Sequence, residues 1–260
     1  MQDGHFFEGE DKTQESFTWT EFTLEELNLP PVSKILEGVK KIESEVGLQG
    51  WRTKGWVSEN YKGFGITHNP TFFDKNENVH HQVWGSDLSV DYYSQDKGFG
   101  DHKQRKNTYY DTYGFRKIHP IIQKHLGFFL DRFNFHISRS RVAYIFGYGL
   151  EPNTDRGWHV DEATCKLLRV NIPLQTSDEY VMQWNNKTYK QELGKVYLWN
   201  TQKEHRPTMI KKVETKEPRI NIVIGLVPWL NYNEETDSYS KNKYFGKPIN
   251  EIVNEKLFVK

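Results

Sequence analysis

The feature that most constrains this chain is a succession of short alternating segments after residue 139 with no helical period between them. Segments 141–148, 167–174, 180–184, 195–199, 209–213 and 219–227 all read as strands, rich in β-branched and aromatic residues and separated by turn residues. Closely spaced strands without intervening helices predict an antiparallel sandwich or barrel, not a parallel sheet with crossover helices. Two of the segments have strongly unequal faces. In 167–174, Leu168, Val170, Ile172 and Leu174 share one side, and Arg169 and Asn171 share the other. In 219–226, Ile220, Ile222, Ile224 and Leu226 oppose Arg219 and Asn221. Each polar face looks either at solvent, as the wet side of an open antiparallel sheet does, or into a ligand cavity.

Upstream, the pattern is different. Ile35, Leu36, Val39, Ile42 and Val46 recur at helical spacing, with Ser33 as the expected cap and Gly47 as the stop. A second helix is predicted from Pro120 to about Phe133, with Ile121, Ile122, Leu126, Phe129 and Leu130 on its apolar side. Between them, 50–115 reads as loops rich in aromatics, with a strand-like piece at 79–84. The expected organisation is a single domain that is mainly β with flanking helices (α+β). It comprises a peripheral arm at 1–32, bracing helices and pocket-forming loops at 33–138, a β core at 139–230 and an extension at 231–260.

With 35 basic residues against 35 acidic ones, the chain has no net field to attract nucleic acid or an anionic membrane. The short Lys103, Arg105, Lys106 and Lys211, Lys212 clusters read as solvated surface. The single cysteine, Cys165, cannot form an internal disulfide and reads as a small buried residue. No apolar run approaches the roughly 20 residues that span a bilayer. The acidic start (Asp3, Glu8, Glu10, Asp11) lacks the basic and apolar regions of a signal peptide, so the expected location is the cytoplasm.

The chemistry-bearing candidates lie in the strand-rich part. His159 and Asp161 form the single His-x-Asp in the chain. On extended backbone, residues i and i+2 point the same way, so an imidazole and a carboxylate can reach one ion. Chance alone supplies about 0.5 such triplets in a chain of this composition, so the motif needs its context. That context is His205, 46 residues on, and Arg219, a further 14 residues on, at the polar face of the last long segment. Two imidazoles and a carboxylate leave coordination positions open, as in mononuclear non-haem Fe(II) sites, and a guanidinium can clamp a carboxylate through two hydrogen bonds. His80 and His81 are adjacent and read as structural.

This order of His-x-Asp, distal His and Arg resembles the 2-oxoglutarate and Fe(II)-dependent oxygenases built on the double-stranded β-helix, a jelly-roll or cupin-like core. Leu168-Arg169-Val170-Asn171-Ile172-Pro173-Leu174, then Gly194, Trp199-Asn200 and Glu204-His205, bring it nearest the aspartyl/asparaginyl β-hydroxylase-like branch. The likeness covers about a third of the chain. Some members of that branch have Gly where Asp161 stands and many have His in place of Asn171.

The resemblance implies a metal triad of His159, Asp161 and His205, with Fe(II), dioxygen and 2-oxoglutarate as co-substrate. It assigns the distal carboxylate of 2-oxoglutarate to Arg219, with Asn221 and Tyr144 beside it. Arg169, Asn171, Trp158 and Trp184 would then face the prime substrate, and Asn200 would orient His205. The implied activity is hydroxylation of an unactivated C–H on an amino acid or a protein or peptide side chain. Two other readings remain open: a cupin-like metal enzyme not using 2-oxoglutarate, and a non-catalytic β-sandwich that binds through its tryptophans.

Overall fold

A computed structural model describes residues 16–53, 56–68, 113–153, 157–164 and 166–260. The strand-like piece at 79–84, His80, His81, Cys165 and the Lys103, Arg105, Lys106 cluster lie outside the described residues. Lys211 and Lys212 are exposed.

Most of the predicted strands enter one large antiparallel sheet. Its order is β1 (Thr20–Thr23), β10 (Lys195–Leu198), β7 (Leu168–Gln175), β12 (Arg219–Val227), β6 (His136–Ile145), β3 (Trp56–Gly65) and β2 (Gln49–Thr53). A smaller sheet of β11 (His205–Met209), β8 (Tyr180–Trp184) and β9 (Lys187–Lys190) faces it. Shorter pairs are β4 (Thr67–His68) with β5 (Lys117–Ile118), and β13 (Leu230–Asn233) with β14 (Ser238–Lys241). The architecture is a double-stranded β-helix with flanking helices. Among the described residues, no helix is long and apolar enough to cross a membrane.

Helices α1 (Val32–Val46) and α2 (Pro120–Leu130) cover the outer face of the large sheet. Ile35, Val39 and Ile42 of α1 and Ile122, Leu126 and Phe129 of α2 join Val170, Ile172, Ile222 and Ile224 in one fully buried core. Burying such side chains stabilises the fold by about 1.5–3 kcal/mol each. The apolar face of β7 and β12 is thus spent on the helices. Their polar face is turned toward the small sheet, and Arg169, Asn171, Arg219 and Asn221 are each no more than 4 % exposed. Of the two alternatives left open by the alternation, the wet surface is excluded: these residues face the interior between the two sheets.

Several local expectations are corrected. The first helix starts at Val32 with Pro31 in extended conformation at its N-cap, so Ser33 lies within the first turn and caps nothing. The second helix ends at Leu130, and the His119 ring accepts a hydrogen bond from the amide of Ile121 at its start. No strand spans 209–213: the nearby strand is β11, His205–Met209, which shares only Met209 with the expected one. Pro207 within β11 reads as a turn residue, but β11 is an edge strand, where a missing N–H is tolerated.

The described parts of both terminal segments, from residue 16 and to residue 260, pack on the body. Phe17 and Leu24 are buried in the main core and β1 pairs with β10 in continuous register. Helix α3 (Ile249–Asn254) contributes Ile249, Ile252 and Val253, and Phe258 follows them into the same core. Gly225 is placed by close approach: a Cβ there would strike the Ser138 carbonyl, where the β12–β6 register shifts between Val223 and Gly225. That bulge also holds Arg139 in left-handed backbone conformation at φ 43°.

Candidate metal centre

His159 and His205 pair across neighbouring strands. The His159 amide donates to the His205 carbonyl at 3.1 Å and the His205 amide returns the bond at 2.9 Å. Two residues further on, the Asp161 amide donates to the Thr201 carbonyl at 2.8 Å. These bonds keep 159–161 extended, so the side chains of His159 and Asp161 project together toward His205. One nitrogen or oxygen from each of the three residues lies within 4.8 Å of the other two, and His205 Nε2 stands 3.6 Å from Asp161 Oδ2.

Both imidazoles are oriented identically by local backbone. His159 Nδ1 lies 3.0 Å from the Gly157 carbonyl and His205 Nδ1 lies 2.9 Å from the Lys203 carbonyl, each two residues earlier in the chain. A carbonyl only accepts, so each Nδ1 carries a proton, and Nε2 is the atom each ring has left to bind a metal. Lys203 therefore does what was expected of Asn200. The Asn200 side chain instead accepts from the Gln202 amide, and its carbonyl accepts from the Trp184 indole.

Burial alone pushes the Asp161 carboxyl up. The adjacent His205 imidazole and the charge of Arg169 outweigh it and hold this group well below the ordinary carboxylate range. The centre thus offers two imidazole nitrogens and one carboxylate. That donor set suits a first-row divalent ion such as Fe(II).

The interior between the two sheets is polar: Arg169, Asn171, Gln191, Arg219 and Asn221 are all buried there. At one end, Arg219 is opposite Ile145 of β6, and its Nη2 donates to Gln191 Oε1, in the turn after β9. The Tyr180 hydroxyl, which accepts from the Gly147 amide at 3.0 Å and donates to the Ile145 carbonyl at 3.2 Å, closes this end. Between Arg219 and the triad side, Asn221 Nδ2 donates to Asn171 Oδ1 at 3.4 Å. The remaining donor and acceptor of that pair, Asn171 Nδ2 and Asn221 Oδ1, have no partner, nor do Gln191 Nε2 and Trp199 Nε1. Buried polar atoms without partners are rare and costly, so their concentration here fits an interior shaped around an oxygen-rich ligand.

The other predicted site residues are distributed differently. Tyr144 does not face this interior: it shares the helix-facing side of β6 with Val142, and its hydroxyl donates to Glu43 of α1 at 2.8 Å. Trp158 alternates with the ligands His159 and Asp161, so it projects to the opposite side. It is 41 % exposed, with the Arg206 guanidinium 4.9 Å from its ring. Trp184 is buried directly across from His205, in an aromatic cluster with Tyr197 and Trp199 against which Trp19 packs. Arg169 does face inward, but its guanidinium already meets the Glu162 carboxylate at 3.2 Å and the Arg139 carbonyl at 2.9 Å. Glu162 is shared with the Arg139 guanidinium.

Three inward residues went unread in the sequence: Gln191, Glu162 and Arg141, the last opposite Val223 on the same inner face. Arg141 had a signal, since it alternates with Ala143 and Ile145. Gln191 and Glu162 lie in turns, where no period marks an inward side chain.

The chain is similar in outline to several solved structures at low sequence identity. One is the α-ketoglutarate-dependent epimerase SnoN from nogalamycin biosynthesis, at 9 % identity over 83 % of this chain and 80 % of that one, TM-score 0.41. Another is the carbocyclase SnoK from the same biosynthesis, at 9 % identity over 100 % and 94 %, TM-score 0.40. A Pseudomonas putida prolyl-4-hydroxylase matches at 7 % identity over 82 % and 94 %, TM-score 0.36. No family model and no curated protein sequence matches the chain.

Proposed function

We propose that this chain is an Fe(II)- and 2-oxoglutarate-dependent dioxygenase that hydroxylates an unactivated C–H of an amino acid or of a protein or peptide side chain. One observation carries the reading: His159, Asp161 and His205 converge within reach of one ion, each ring turned by a backbone carbonyl so that Nε2 faces the others, while the cation Arg219 is buried on the inner face of the same sheets. A structural ion cluster needs no such buried cation, and a carbohydrate-binding sandwich needs no such triad.

The residues divide the work. His159 Nε2, His205 Nε2 and the Asp161 carboxylate would hold the iron, whose redox chemistry with 2-oxoglutarate and dioxygen supplies the oxidising power. Arg219 would take the distal carboxylate of 2-oxoglutarate. Its guanidinium cannot lose its proton and is enclosed by low-dielectric walls, where a charge-assisted pair is strong. Asn171 Nδ2 would donate to an oxygen of the co-substrate, and Asn221 Oδ1 would accept from a hydroxyl or water. The aromatic cluster of Trp184, Tyr197 and Trp199 excludes water behind His205.

The test is anaerobic reconstitution with Fe(II), followed by 2-oxoglutarate turnover against free amino acids and acidic peptides. Wild-type protein is expected to hold one equivalent of Fe(II), to lose it on His159→Ala, and to form succinate. Arg219→Ala is expected to raise the 2-oxoglutarate concentration needed by about tenfold to a hundredfold, as for loss of a charged hydrogen-bonded pair. Metal binding with turnover indifferent to Arg219→Ala would favour the cupin-like reading, and absence of metal would favour a binding module.

A further inference from the structure

We infer that Gln191 is a co-substrate-binding residue that works with Arg219 as a two-part receiver for the distal carboxylate of the 2-oxoacid. The inference rests on the oxygenase reading above and names a residue that neither the His-x-Asp motif nor the strand pattern points to. Gln191 lies just beyond β9, on the small sheet, and is 3 % exposed. Its Oε1 accepts from Arg219 Nη2 between the sheets.

That contact settles which way the amide is turned. A guanidinium offers only donors, so the oxygen must face Arg219 and the NH2 must face away. Gln191 Nε2 is buried and has no partner. A carboxamide NH2 enclosed without an acceptor costs about 1–3 kcal/mol, and it stands beside a buried cation. An acceptor brought by a ligand relieves that NH2, and a carboxylate does so with one oxygen while its other oxygen meets the guanidinium. The residues expected to assist Arg219 are engaged elsewhere: Tyr144 is bonded to Glu43 on the helix-facing side of the sheet and Asn221 to Asn171.

The experiment uses the full-length protein loaded with Fe(II) under anaerobic conditions. Chelation of Fe(II) by a 2-oxoacid gives a visible charge-transfer absorption, so affinity is read by titration without turnover. Gln191→Glu keeps the size and can still hold Arg219, but it presents an anion to the incoming carboxylate. Gln191→Met keeps the size and deletes the donor. Each is titrated with 2-oxoglutarate and with 2-oxobutyrate, which lacks the distal carboxylate.

The expected result is a loss of 2-oxoglutarate affinity of at least tenfold for Gln191→Glu and roughly fivefold or more for Gln191→Met, with Fe(II) content and 2-oxobutyrate affinity within twofold of wild type. Variants that bind 2-oxoglutarate as tightly as wild type, or that lose affinity equally for both acids, overturn the role of Gln191 and leave the oxygenase reading standing. A wild-type protein that takes up Fe(II) and shows no absorption with either acid overturns both.

Discussion

Replacing Glu162 by Gln should destabilise the protein far more than a conservative change of its size normally does. The Glu162 side chain is 7 % exposed and its carboxylate lies between Arg139, 13 % exposed, and Arg169, 3 % exposed. The amide preserves shape and one acceptor, so no cavity forms. What is lost is an anion that two enclosed guanidiniums share, and removing one partner of a buried pair costs about 3–5 kcal/mol. At about 2–4 °C per kcal/mol for a chain of this size, the melting temperature should fall by roughly 6–20 °C. Thermal unfolding followed by circular dichroism at neutral pH measures it.

Two controls make the reasoning specific. Enclosed pairs are little screened, so the drop should persist in about 1 M salt. Adding Arg139→Gln removes one of the two stranded cations, so the double variant should recover part of the loss, a coupling that a double-mutant cycle isolates. Fe(II) content should stay at one equivalent, because Asp161 is held by its own amide bond to the Thr201 carbonyl and not by the Glu162 carboxylate. A fall of less than about 2 °C, or one abolished by salt, would refute the claim that Glu162 compensates buried charge.

Other perturbations follow from the same coordinates. Burial, with the Arg116 charge second, presses the His136 imidazole down to about 3, and burial likewise takes His68 down to about 4. The unfolded chain binds these protons near pH 6.5 and the folded chain does not, so stability is full above that pH and is lost as pH falls toward 4, by up to about 1.4 kcal/mol per pH unit for each histidine. Urea midpoints of His136→Phe should therefore fall less steeply between pH 6.5 and 4.5 than those of wild type, and parallel slopes would contradict this. Tyr144→Phe should cost about 0.5–1.5 kcal/mol through the lost bond to Glu43 and leave 2-oxoglutarate affinity unchanged; a clear affinity loss would put Tyr144 back in the site. Ile222→Ala, at a fully buried position between sheet and helices, should cost about 2–5 kcal/mol in denaturant titration.

The sequence by itself determined what depends on near neighbours. A pleat fixes a period of two, so Leu168 to Leu174 and Ile220 to Leu226 had to present one apolar and one polar face, and His159 and Asp161 had to point together. Only the tertiary structure decided what each face meets. The helices took the apolar face, which turned Arg169, Asn171, Arg219 and Asn221 toward the interior between the sheets and put Tyr144 outside it. The pairing of Arg219 with Gln191, 28 residues apart, of Asn221 with Asn171, 50 apart, and of Arg139 and Arg169 around Glu162 depends on how two sheets close on each other. Closure is set by register and packing over the whole domain, and a turn residue carries no period to show which way it faces, so these partners become visible only once the chain is folded.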